Sequence, residues 1–202
     1  MAISGVFLLQ TVQGEQLTGT WPVIIDSSAL GWFGGGNGYI SNVDRIVYAI
    51  DTPTSNPRGN LATSRSMLAA CGNLTDGWFV AGLNGSAAAT SNIDRINYLT
   101  DTVTASIRGY LTANRYLLAA AGNSTNGWFG GGYNSVPTIV TSVFSITYAT
   151  DTTSTSTRGS LAIARHDLTA CGNSTNGWFA GGLVAGLYQS YPDRQRSFQI
   201  LF

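Results

Sequence analysis

Apolar residues in this chain come in short runs broken by clusters of Gly, Asn, Ser and Thr, and no stretch places them at helical spacing. The clearest run begins Gly-Trp-Phe. It stands at Gly31-Trp32-Phe33, Gly77-Trp78-Phe79, Gly127-Trp128-Phe129 and Gly177-Trp178-Phe179, at intervals of 46, 50 and 50 residues. Small-residue runs precede three of these sites, LAACG (68–72), LAAAG (118–122) and LTACG (168–172), and glycines or alanine follow each of them. In one unit the pattern predicts strands over about 116–121, 127–132, 142–149 and 157–161, with turn residues 122–126 between the first two. The small residues suit an innermost strand, where neighbouring sheets crowd and only Ala, Cys or Gly fits.

Polar positions keep the same step. Asp51, Asp101 and Asp151 are 50 apart, as are Arg58, Arg108 and Arg158, and Arg65, Arg115 and Arg165. The shorter first interval comes from a loop four residues shorter, Gly34 to Asp44 against Val80 to Asp94. Four short strands per unit is the size of a propeller blade. The expected fold is therefore all-β: a single domain over 1–202, a small β-propeller of about four four-stranded blades. The units run over approximately 23–65, 66–115, 116–165 and 166–202. The last unit lacks a fourth strand, and the segment before the first repeat is expected to supply it. Residues 1–20 would then be the closing strand, leaving no exposed edge. The same strand count fits closure between two chains, an eight-bladed homo-oligomer.

The Phe-Gly-Gly strand ending, the variable loop, the hydrophobic strand and the Arg before the next inner strand resemble a kelch-type blade. That resemblance implies a propeller with its variable loops on one face. The wording Asp94-Arg95-Ile96, continuing to Arg115, also resembles repeats in structural and tail-fibre-like proteins of tailed phages, particularly cyanophages. It implies a virion location and carries no active site.

Charge removes other classes. Charged residues are 10% of the chain, the net charge is zero, lysine is absent and the arginines are spread, so a nucleic-acid groove or anionic-membrane patch has little support. No apolar stretch approaches the roughly 20 residues needed to span a bilayer. The start, MAISGVFLLQ, has no basic n-region or cleavage site, so neither a signal peptide nor a transmembrane segment is expected and the chain reads as soluble. His166 is the single histidine, which disfavours a metal site. The glycines lack a P-loop lysine, and no cofactor is expected.

Trp32, Trp78, Trp128 and Trp178 are read as repeat core. Asp44-Arg45, Asp94-Arg95 and the periodic arginines are read as blade-to-blade ion pairs and turn caps, because one active site does not need several copies. The third unit is read as replacing the Asp-Arg pair by Val143-Phe144. Asn73-Leu74-Thr75, Asn123-Ser124-Thr125 and Asn173-Ser174-Thr175 match a glycosylation pattern but read as turn chemistry. Cys71 and Cys171, with Ala121 between them in the pattern, read as small buried residues.

Function is then expected in the loops after the glycines, which vary most between units. They carry Tyr39, Asn84, Tyr133, Asn134, Tyr188 and Tyr191, groups that stack and hydrogen-bond without charge. The expected role is non-enzymatic: a phage virion structural or tail-associated module for assembly or host attachment. Its partners would be other virion proteins or a host-surface protein or glycan. The alternative is a lectin-like glycan-binding propeller.

Overall fold

The computed structural model describes residues 30–48, 55–100, 104–150, 156–185 and 198–200. Among them the regular structure is strand, apart from one 3-10 turn at Tyr98–Thr100. The first sheet runs β1 (Leu30–Gly34), β2 (Asn42–Val47), β3 (Asn56–Asn60). A two-residue strand, β4 (Arg65–Ser66), leads to the second sheet: β5 (Ala69–Gly72), β6 (Asp76–Val80), β8 (Thr90–Asn97) and β9 (Ser106–Arg115). Within it, β7 (Leu83–Asn84) turns aside to pair with β4. The third sheet is β10 (Ala119–Gly122), β11 (Asn126–Gly130), β12 (Ser142–Thr147), β13 (Ser156–Ser160), and the fourth is β14 (His166–Gly172), β15 (Gly177–Leu183), β16 (Phe198–Ile200).

Each of the four larger sheets is an antiparallel meander, and the chain passes from the outer edge of one to the inner edge of the next. The inner strand β10 lies against both β5 and β14, so the sheets stand in a row with their small-residue edges together. The all-β expectation holds, and the four-strand parse holds for the second and third sheets. Among the described residues no closed ring is found, and the closing strand expected at 1–20 lies outside them.

The hydrophobic core sits between sheets rather than within one. Trp32, Val43 and Leu61 of the first unit pack with Phe79, Ile96 and Tyr98 of the second. Trp78, Val80 and Ile93 of the second pack with Phe129, Phe144, Ile146 and Tyr148 of the third. Val143 and Leu161 of the third pack with Leu168 and Phe179 of the fourth. Two stacked pairs repeat this arrangement across successive junctions. Trp32 stacks on Tyr98 with ring centroids 3.7 Å apart, and Trp78 on Tyr148 at 4.0 Å. A fully buried Trp removes roughly 200 Å² from water, about 5 kcal/mol gross, so the Trp78 contact is a large part of the second junction.

The glycines flanking the first turn make room for the tyrosines. A Cβ on Gly72 would lie 2.5 Å from the Tyr98 hydroxyl, and one on Gly122 would lie 2.6 Å from that of Tyr148. The turns themselves are held by asparagine. Asn73 Oδ1 accepts from the backbone N–H groups of Thr75 and Asp76, and Asn123 and Asn173 repeat the pattern. This is the turn chemistry read from the sequence.

Candidate binding face

The meander fixes which connections share an end. The Asn-x-Thr turns close one end of the second, third and fourth sheets, and the loops after Gly36, Gly82 and Gly132 leave from the other. At the loop end each periodic arginine joins two units. The Arg65 N–H donates to the Ile40 carbonyl at 3.0 Å and its carbonyl accepts from Gly36 N–H at 2.9 Å, both in the first unit. Its side chain enters the second unit, where Nη1 donates to the Asn92 carbonyl at 3.1 Å and Nη2 meets Asp94 Oδ2 at 2.9 Å. The Arg115 carbonyl accepts from Gly82 N–H, while its Nη2 donates to Ser142 Oγ at 2.8 Å in the third unit. The Arg165 carbonyl accepts from Gly132 N–H, and its Nη1 donates to the Gly181 carbonyl at 3.0 Å.

Burial shapes the electrostatics of these joints. Arg65 and Asp94 are both fully buried. Desolvation pushes the Asp94 carboxyl up and the Arg65 guanidinium down, and their mutual attraction opposes both shifts. In the third unit the register places Phe144 and Ser145 opposite Phe129 and Trp128, as Asp94 and Arg95 stand opposite Phe79 and Trp78. The replacement read as Val143-Phe144 is thus Phe144-Ser145, displaced by one residue. The Arg115 guanidinium lies over the Phe144 ring, 5.2 Å from its centroid, so a cation–π contact takes the place of the ion pair. Burial lowers the Arg115 pKa.

Beside the arginines runs a backbone ladder. Met67, Leu117 and Asp167 are 50 residues apart and have φ of 54°, 56° and 52°, the left-handed region that side chains resist. Leu117 N–H donates to the Met67 carbonyl at 2.9 Å and Asp167 N–H to the Leu117 carbonyl at 3.1 Å. The strained positions are where one inner strand is hydrogen-bonded to the next.

The loop residues singled out from the sequence occupy this end in different states. Tyr39 is half-buried in the first loop at φ 56°, its N–H donating to the Gly36 carbonyl. Asn84 and Asn134 spend their side-chain oxygens inside their own loops, on Ser86 and Ala88 and on Thr138. Tyr133 stacks on Tyr116 with centroids 5.2 Å apart and tilts against His166 of the next unit at 4.5 Å. His166 Nδ1 in turn lies 2.9 Å from Asp167 Oδ2. Tyr188 and Tyr191 lie outside the described residues. Of the repeat-core tryptophans, Trp78 is fully buried and Trp32, Trp128 and Trp178 are half-buried.

Tyr116, Tyr133, His166 and Asp167 thus form an aromatic tier with one carboxylate at the loop end, across the third junction. Its faces suit stacking, and its edge offers hydroxyl, imidazole and carboxylate groups for hydrogen bonds. Reading the sequence missed that Tyr133 meets Tyr116 and His166. The signal was there, because 66, 116 and 166 step with 83, 133 and 183 in the repeat.

At the turn end, residues of all four units border one open cavity of about 570 Å³. Leu30, Trp32 and Tyr48 line it from the first unit, Leu74 and Tyr98 from the second, Asn123 from the third and Asn173 from the fourth. No protein-family model matches the chain, and no curated protein matches it.

Proposed function

We propose that this protein is a non-enzymatic attachment or assembly module of a phage-type virion, and that its sheets are blades of a propeller-type ring to which one chain contributes four. The observation that carries the reading is the division of labour along each sheet. The joints between units reuse the same arginines, glycines and Trp–Tyr stacks, whereas the loops that leave the glycine end differ from unit to unit. A rigid frame with divergent loops gathered at one end is how binding surfaces are presented. The shared cavity at the turn end, bordered by all four units, supports an arrangement around an axis.

The partner surface is the loop end, with Tyr133 at its centre, and the partners are virion proteins or host-surface groups. The test is competition. Purified protein added to host cells should block adsorption of the phage that encodes it, or co-sediment with its tail proteins, and Tyr133→Ala should weaken whichever binding is seen at least tenfold while the circular dichroism spectrum still shows a folded chain. Failure of both assays would remove the virion role.

The aromatic tier favours a second reading, a lectin-like module, because ring faces stack on the apolar faces of sugars. Binding on a glycan array that is lost in Tyr133→Ala would select it over assembly.

A further inference from the structure

Each junction is built from two unlike halves. The unit before it offers a Trp and a small residue or valine, and the unit after it offers a Phe, joined at the first two junctions by a Tyr. Trp32 and Gly34 meet Tyr98 and Phe79, the Phe79 ring coming so close that a Cβ on Gly34 would lie 2.7 Å from it. Trp78 meets Tyr148, and Gly130 meets Phe179. Where a preceding unit is present the phenylalanine is covered: Phe79 is 2% exposed, Phe129 0% and Phe179 3%.

The first unit has the same second half with nothing described in front of it. Phe33 and Tyr48, one repeat before Phe79 and Tyr98, are each 58% exposed. The fourth unit carries the matching first half, Trp178 followed by Ala180 two residues on, where Trp32 is followed by Gly34. The exposed Phe33–Tyr48 face and the half-buried Trp178 therefore carry the two halves of a contact whose Trp–Tyr stack is made twice inside the chain.

We propose that the Phe33–Tyr48 face is a docking surface for the Trp178–Ala180 face of a second copy of this chain, with Tyr48 stacking on the second copy's Trp178. Among the described residues nothing covers Phe33 or Tyr48. Two chains joined head to tail at two identical junctions close a ring of eight sheets, as unlike faces do when the rotation between them closes. The inference rests on the propeller reading above. The contact needs no complementary charge, because what is paired is aromatic surface.

The experiment is light scattering on the full chain at micromolar concentration, followed by cross-linking. The expected mass is twice 21.3 kDa. The Phe33→Ser/Tyr48→Ala variant should fall to 21.3 kDa with an unchanged circular dichroism spectrum. In a Cys71→Ala/Cys171→Ser background, Tyr48→Cys and Trp178→Cys chains are mixed and treated with a short bis-maleimide. The mixture should give a cross-linked dimer that neither chain gives alone. A 21.3 kDa protein in which the combined Tyr48→Cys/Trp178→Cys chain cross-links within itself would overturn the second copy and keep the ring. A 21.3 kDa protein with no cross-link of either kind would overturn both.

Discussion

Arg65 and Asp94 meet at 2.9 Å with neither side chain exposed, one held by the backbone of the first unit and the other set in a strand of the second. The Ala62 N–H donates to the same Asp94 oxygen at 2.9 Å, so the carboxylate also fixes the chain leading to the arginine. The pair acts as a rivet between sheets. Its net contribution is small because burying both charges offsets their attraction, yet removing one partner strands the other.

Asp94→Leu should therefore cost about 3–5 kcal/mol, and Arg65→Met a similar amount. The double variant Arg65→Met/Asp94→Leu should recover most of that loss, because an apolar pair of similar volume carries no desolvation cost. Urea unfolding of the four proteins checks this. Additive losses in the double variant would show that the two residues do not act on each other.

Gly82 separates packing from flexibility. Its φ is +104°, and a Cβ there would lie 2.5 Å from the Ser66 carbonyl oxygen. Gly82→Ala should cost at least about 2 kcal/mol, since strain and backbone overlap add. Gly85 has nothing within 4 Å of its hypothetical Cβ, so Gly85→Ala should change stability by less than about 0.5 kcal/mol. Thermal melts of the two variants measure the contrast.

Trp78 is 2% exposed and stacked on Tyr148. Trp78→Ala should cost on the order of 3–5 kcal/mol. Denaturant titration followed by circular dichroism provides the number, and a loss below about 1 kcal/mol would contradict burial of the ring.

Alkali should weaken the fold through the second junction. Burial pushes the Cys71 thiol up to about 12 from 9.0, the hydrogen bond from Tyr148 opposing part of the shift. Burial also raises the hydroxyls of Tyr98 and Tyr148 above 10.0. Each group holds its proton more tightly folded than unfolded. The stability they contribute is present below pH 9 and is lost as pH rises from there through the folded values. Tm should fall steadily above about pH 9, and Cys71→Ala should flatten the first part of that fall. In the native protein at pH 8, a thiol reagent should modify the exposed Cys171 faster than the half-buried Cys71, whose thiol burial keeps protonated.

The fifty-residue period made the strands readable, since Gly-Trp-Phe, the small-residue runs and the Asn turns are local signals repeated in phase. The four strands expected over 116–161 appear in order as β10, β11, β12 and β13. What was less legible is which residue of one unit meets which of the next. Tyr48, Tyr98 and Tyr148 repeat regularly, yet the stacking partners of Tyr98 and Tyr148 lie a whole unit back, beyond any local window. In the third unit the counterpart of Asp94-Arg95 is Phe144-Ser145 rather than Val143-Phe144, which the fifty-residue step itself gives and the pairing with β11 bears out. The loop candidates were legible as surface, and the side-chain bonds that lock Asn84 and Asn134 into their own loops were not.

Because the dry interior belongs to the spaces between sheets, a fifty-residue piece cut from this chain has no inside of its own to fold around. Cohesion passes from each copy to its neighbour, so duplicating or deleting a copy alters how many seams exist while leaving the chemistry of every seam alone. Such a chain is free to lengthen, shorten and diverge at its loops during descent, provided that no copy is left without a neighbour.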